Sequence, residues 1–146
     1  NFAETLAKDP RRKEVRDSLI KLKGKNKKLA VLSSERSFAP KPSMVYFGIA
    51  DLFDAIIATE ETGYDKPDPR RFLYMLNHLK VKPEQTAYVG NDTIRDIDGS
   101  KGVGMKAILF VPPQRLKANV WREYVEPKYK PDAVIKNFSE LPDIIS

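Results

Sequence analysis

Apolar residues recur along the chain in two alternating rhythms. Val15, Leu19 and Leu22 form one stripe of a helix from about Arg11 to Leu22. Asp9-Pro10 precedes it as a cap residue and a proline, a favourable helix start. Lys28-Leu29-Ala30-Val31-Leu32-Ser33 is continuously apolar between its ends, as in a parallel strand covered on both faces. Pro40 and Pro42 punctuate the next loop, and a helix is expected from near Ser43 to Gly48. Asp54 to Thr59 predicts a second strand. A polar loop with Gly63, Pro67 and Pro69 then leads into a helix from Arg70 to Leu79, with Phe72, Leu76 and Leu79 inward. Thr86 to Gly90 predicts a third strand and Thr93 to Lys101 a helix. Gly102 and Gly104 turn the chain into a fourth strand, Met105 to Phe110. A fifth, near Ala133 to Ile135, precedes a C-terminal helix. The alternation predicts an α/β fold, a Rossmann-like parallel sheet with helices on both faces.

Composition narrows the function classes. A chain of 146 residues, 41% hydrophobic, is long enough for one domain with its own core. It holds no cysteine, which excludes disulfides, cysteine-ligated zinc and a cysteine nucleophile. Apolar runs such as Ala55-Ile56-Ile57-Ala58 fall far short of the roughly 18 residues of a membrane helix. The first residues do not form a secretory leader, so the expectation is a cytoplasmic protein with no membrane partner.

The net charge of +6 invites a nucleic-acid reading, and much of it lies between Lys21 and Lys28. Cations there complement the negative end of the preceding helix, with Gly24 and Asn26 as stop residues. The run holds no aromatic residue to stack a base, so charge alone does not make the chain a nucleic-acid binder. Residues 112–131 resist assignment. Trp121, Tyr124 and Tyr129 stand there among Arg115, Lys117, Arg122, Lys128 and Lys130, and a helix packed over the sheet edge is the favoured reading. An oligomer contact or a backbone-tracking groove are the others.

In an open parallel sheet, ligands bind beyond the carboxyl ends of the strands. The first strand ends in Ser33-Ser34, the second leads to Tyr64-Asp65-Lys66-Pro67-Asp68-Pro69, and the third ends in Gly90-Asn91-Asp92 with Asp96 beyond it. Hydroxyl, ammonium and carboxylates on one rim suit a phosphate and a hard cation. Ser33 and the following amides can donate to phosphate oxygens, Lys66 is a compact positive charge, and oxygen ligands suit magnesium. Asp92 and Asp96, at i and i+4, would share one face of a helix starting there. Singly, Ser33 reads as a strand end, Lys66 as a loop lysine and Asp92 as an N-cap. His78 reads as a surface residue. The glycines from Gly99 to Gly104 follow a helix instead of opening one, so they are no dinucleotide fingerprint.

Leu29-Ala30-Val31-Leu32-Ser33, Lys66-Pro67-Asp68-Pro69 and Val89-Gly90-Asn91-Asp92-Thr93-Ile94-Arg95-Asp96-Ile97-Asp98-Gly99-Ser100 resemble the second, third and fourth motifs of the haloacid dehalogenase superfamily of hydrolases. The resemblance covers about residues 10–111. It implies a magnesium-dependent phosphatase acting on a small phosphorylated metabolite. Ser33 and Lys66 would hold the transferring phosphoryl group with the Ser34 amide beside them. Asn91 or Asp92, with Asp96, would form the magnesium end.

Two departures from the family pattern shape the expectation. The fourth motif usually carries Asp directly after its glycine, where this chain has Asn91, an amide that ligates without charge. The family's nucleophile, the first Asp of an Asp-x-Asp motif on a central N-terminal strand, has no counterpart before Ser33. The resemblance therefore implies that residues 1–146 are the C-terminal part of a single core domain. Residues 1–9 would connect from a cap or N-terminal segment, and 112–131 would be an irregular or helical insertion. That upstream segment, in the same protein or a separate piece, would supply the nucleophile strand. A start at Asn1 instead of Met fits this expectation. The alternative is a non-catalytic fragment serving as a scaffold or binding module.

Overall fold

A computed structural model describes residues 10–33, 48–111 and 126–145. The helix expected from Ser43, and most of the unassigned stretch after Pro112, lie outside the described residues. The chain divides into two compact units, residues 1–64 with 138–146 and residues 65–137.

In the first unit, α1 (Pro10–Gly24) buries Leu19 and Leu22, while Val15 is only half-buried. Ser18, also buried, satisfies its hydroxyl on the carbonyl of Glu14 at 2.7 Å. Strands β1 (Ala30–Ser33) and β2 (Ala55–Ala58) pair in parallel, Ala30 opposite Ala55 and Ser33 opposite Ala58. Asp54 fixes that register. Its amide donates to the carbonyl of Leu29 at 2.7 Å, and its carboxylate accepts from the amide of Leu29 and from Lys23 Nζ. Lys25 donates to the carbonyls of Pro142 and Ile145, at the end of the last helix, α5 (Leu141–Ile144). Two cations of the basic run thus serve the unit's own packing. The polar stretch after β2 is not all loop, because Thr59–Thr62 forms a single helical turn, α2.

The second unit is built on a three-stranded parallel sheet in the order β3 (Ala87–Gly90), β4 (Lys106–Phe110), β5 (Ala133–Ile135). Gly90 pairs with Leu109, and Ile108 with Ala133. Consecutive residues Ala107 and Ile108 of the central strand are both buried, as in a parallel strand covered on both faces. Helix α3 (Pro69–Leu79) starts on the Asp68 side chain, which accepts from the amide of Arg70, with Pro69 in the first turn. It stops at Lys80, whose φ of 57° is left-handed. It buries Arg71, Phe72, Met75 and Leu76. Asp132 repeats at β4 and β5 the clamp that Asp54 makes in the first unit. Its amide donates to the carbonyl of Ala107, and its carboxylate accepts from the Ala107 amide and Lys101 Nζ.

The strands are parallel, as expected, and fall in sheets of two and three strands; among the described residues β1 pairs only with β2 and β3 only with β4. One expectation is corrected. Residues 93–101 are not one α-helix. Thr93–Asp98 is a π-helical turn, followed by a short α-helix, α4 (Gly99–Gly102). The described end of the unassigned segment, residues 126–131, is not helical. It is tied to the second unit where the Asp98 carboxylate accepts from the amides of Lys128 and Tyr129.

Candidate functional site at the end of strand β3

Gly90 ends β3, and the chain beyond it folds back on Asp96. Asp96 is buried, and its Oδ2 accepts from the amides of both Asn91 and Asp92 at 3.1 Å. Its Oδ1 accepts from Lys66 Nζ at 2.5 Å and from the Tyr88 hydroxyl at 3.4 Å. Two amides, an ammonium and a phenol thus converge on one carboxylate, the satisfaction that a buried negative charge requires. Asp92 caps the π-turn, its Oδ1 accepting from the amides of Ile94 and Arg95 at 2.9 Å. The turn is π-helical because the Asp92 carbonyl accepts from Ile97 as well as Asp96. Asp92 and Asp96 are therefore not two residues on one α-helical face. One opens the turn and the other closes back onto its start.

The loop bearing Lys66 is seated on the same turn. Asp65 accepts from the Lys66 amide at 2.8 Å through Oδ1 and from Arg95 at 2.6 Å through Oδ2. A Cβ added at Gly99 would lie 2.5 Å from the Phe72 ring and 3.2 Å from the backbone of Pro67, so glycine lets α3 and the Lys66 loop close onto α4. Ser100 is buried behind the turn and donates to the carbonyls of Asp96 and Ile97.

Tyr88 was missed as a site residue. On β3 it reads as ordinary core, yet it shares a strand face with Gly90, and that period-two relation to the strand end is the signal that finds it. Its hydroxyl accepts from Lys66 Nζ at 3.2 Å, so the ammonium meets Tyr88 at its hydroxyl end. Burial, with the negative charge of Asp96 added, pushes the Tyr88 phenol far up, so it stays protonated and neutral. The Asp65–Arg95 pair was missed too.

Of the residues singled out from sequence, Lys66, Asn91, Asp92 and Asp96 come together here, the middle two joined to Asp96 through their amides. Ser33 ends β1 in the other unit, and Ser34 lies outside the described residues. Among the described residues, no group of three or more His, Cys, Asp or Glu side chains is placed to hold a metal ion. His78 is an exposed helical residue stacked on Tyr74, with ring centroids 6.3 Å apart. No described helix is long and apolar enough to cross a membrane.

Residues 7–110 match the family model described as haloacid dehalogenase-like hydrolase. The chain is 34% identical over 128 residues to the glyceraldehyde 3-phosphate phosphatase of Methanothermobacter thermautotrophicus, covering 88% of this chain and 55% of that protein. It superposes on the 2-haloacid dehalogenase of Pseudomonas syringae with a TM-score of 0.70 and 31% identity, over 89% of this chain and 50% of that one. A phosphatase from Thermococcus onnurineus shares the fold at a TM-score of 0.76 and 24% identity, over all of this chain and 65% of that one. The chain spans about half the length of the curated relatives it matches.

Proposed function

The chain belongs to the haloacid dehalogenase-like hydrolases, and we propose that it forms the C-terminal part of the core of a magnesium-dependent phosphomonoester hydrolase. The observation that carries the reading is the Lys66 ammonium, fixed 2.5 Å from Asp96 at the end of β3. A cation held at a strand end suits a phosphoryl group, whose equatorial oxygens carry the charge that catalysis must stabilise. Phosphatases among the relatives support the same class and a small phosphorylated substrate.

Lys66 and the Ser33 hydroxyl, with the Ser34 amide, hold the phosphoryl oxygens. The nucleophile is an Asp on a strand outside residues 1–146. Among the described residues β3 pairs only with β4, which supports such a strand, since an unpaired buried amide or carbonyl costs about 1–3 kcal/mol. That carboxylate attacks phosphorus and expels the alcohol, and water then cleaves the aspartyl-phosphate. In this proposal residues 1–9 connect from the preceding segment, and 112–131 form an insertion in the same core domain.

The oxygen donors of Asn91 and Asp92 suit a hard cation by their chemistry, although among the described residues no three acidic side chains gather to hold one. The side-chain oxygen of Asn91 or Asp92 would hold magnesium, which when bound neutralises phosphate charge. Asp96 contributes from behind, because both its oxygens already accept donors and fix the amides of Asn91 and Asp92. The same proposal assigns the hydrolase to the cytoplasm, the compartment of phosphorylated metabolites.

The test is hydrolysis of a generic phosphomonoester by the full-length protein with and without magnesium. Magnesium-dependent turnover supports the reading. A folded full-length protein that turns over nothing under either condition supports the alternative, a non-catalytic binding or scaffold module, for which Asn91 in place of the usual Asp is the favouring observation.

A further inference from the structure

We infer that Tyr88 is a positioning residue that aims the Lys66 ammonium; its catalytic consequence rests on the phosphatase reading, its geometry does not. A lysine head is a point charge on a flexible four-carbon stem, so a site that uses one must restrict it. Here the ammonium meets two features at once, the Asp96 carboxylate at 2.5 Å and the Tyr88 hydroxyl at 3.2 Å. An ammonium has three N–H donors. Two are taken by Asp96 and Tyr88, and among the described residues the third has no protein partner, which leaves one donor direction for an incoming anion.

Tyr88 is itself held firmly enough to give that direction. Its ring meets Phe72 edge-on, with centroids 5.1 Å apart at 71°, and Phe72 is fully buried against the hollow at Gly99. Its hydroxyl donates to the same carboxylate oxygen that Lys66 touches, so hydroxyl, carboxylate and ammonium form a closed ring of hydrogen bonds. Asp96 alone would bind the ammonium as a charge. The hydroxyl adds the second point that defines its orientation.

Tyr88→Phe removes the hydroxyl while keeping the ring and its Phe72 contact. In the full-length protein, kcat on p-nitrophenyl phosphate should fall about tenfold. In a Lys66→Ala background the same replacement should change kcat less than about twofold, because the effect passes through Lys66. Equal losses in both backgrounds, or none in either, overturn the proposal.

A second readout needs no turnover. Acylation of Lys66 by an amine reagent should proceed several-fold faster in Tyr88→Phe than in the parent, measured against Lys101 in the same molecule. An unchanged ratio overturns the positioning role even in an active enzyme. A raised ratio in a protein whose parent hydrolyses no phosphomonoester keeps the positioning role and removes the phosphatase reading.

Discussion

Gly90 and Asp96 are packed so closely that a Cβ on Gly90 would lie 2.4 Å from both Cβ and Cγ of Asp96. The glycine is required by the carboxylate that folds back on the strand end, not by an unusual backbone angle. Gly90→Ala must push Asp96 off the amides of Asn91 and Asp92 and off Lys66. The expected cost is about 1–3 kcal/mol of stability, typical of forcing an extra methyl into a filled site. Urea unfolding of the two proteins measures it, and a midpoint equal to the parent's would show that Asp96 yields without cost.

Asp92 has two roles that substitution can separate. As a cap it accepts from the amides of Ile94 and Arg95, a task that asparagine also performs. Asp92→Asn should therefore melt near the parent temperature, whereas Asp92→Ala loses about 1 kcal/mol. If Asp92 also ligates magnesium, the asparagine variant should need about tenfold more of the cation for half-maximal turnover, in the range expected for weakening a metal site. An unchanged magnesium requirement assigns the direct contact to Asn91.

Asp54 and Asp132 make the fold acid-sensitive. A backbone hydrogen bond from Leu29, then Lys23, holds the Asp54 carboxyl below its ordinary 3.8; the Ala107 amide, then Lys101, does the same at Asp132. A carboxyl lowered in the folded state contributes stability that is complete above its unfolded value and lost as pH falls below it. Asp54→Asn and Asp132→Asn should each be less stable than the parent at neutral pH. Each should also lose less stability between about pH 5 and pH 3. Denaturation midpoints across that range check both, and acid limbs parallel to the parent's would rule out these clamps as the source.

What the sequence made legible follows from how local each feature is. Helix α3 was readable because Asp68, Pro69 and the Phe72–Leu76 spacing all lie within it. The strands were readable as short apolar runs between turn residues. Lys66 and Asp96 stood out by their chemistry and their place after strand ends. Their contact was not legible, because it depends on how the Lys66 loop seats against Gly99 and Pro67. The π-turn was hidden for a similar reason. Asp92 and Asp96 at i and i+4 look the same for an α-helix, and only the extra bond from Ile97 to the Asp92 carbonyl separates the two. Tyr88 was hidden because a strand tyrosine is usually core, and its hydroxyl acquires a role only when Lys66 and Asp96 arrive beside it.

Lys66→Ala tests the central claim most directly. Asp96 keeps two amides and the Tyr88 hydroxyl without the lysine, so stability should fall by only about 1–3 kcal/mol. Turnover of a generic phosphomonoester by the full-length protein should fall by about 100-fold or more, as for the loss of one donor to developing charge. Turnover equal to that of the parent would contradict the account.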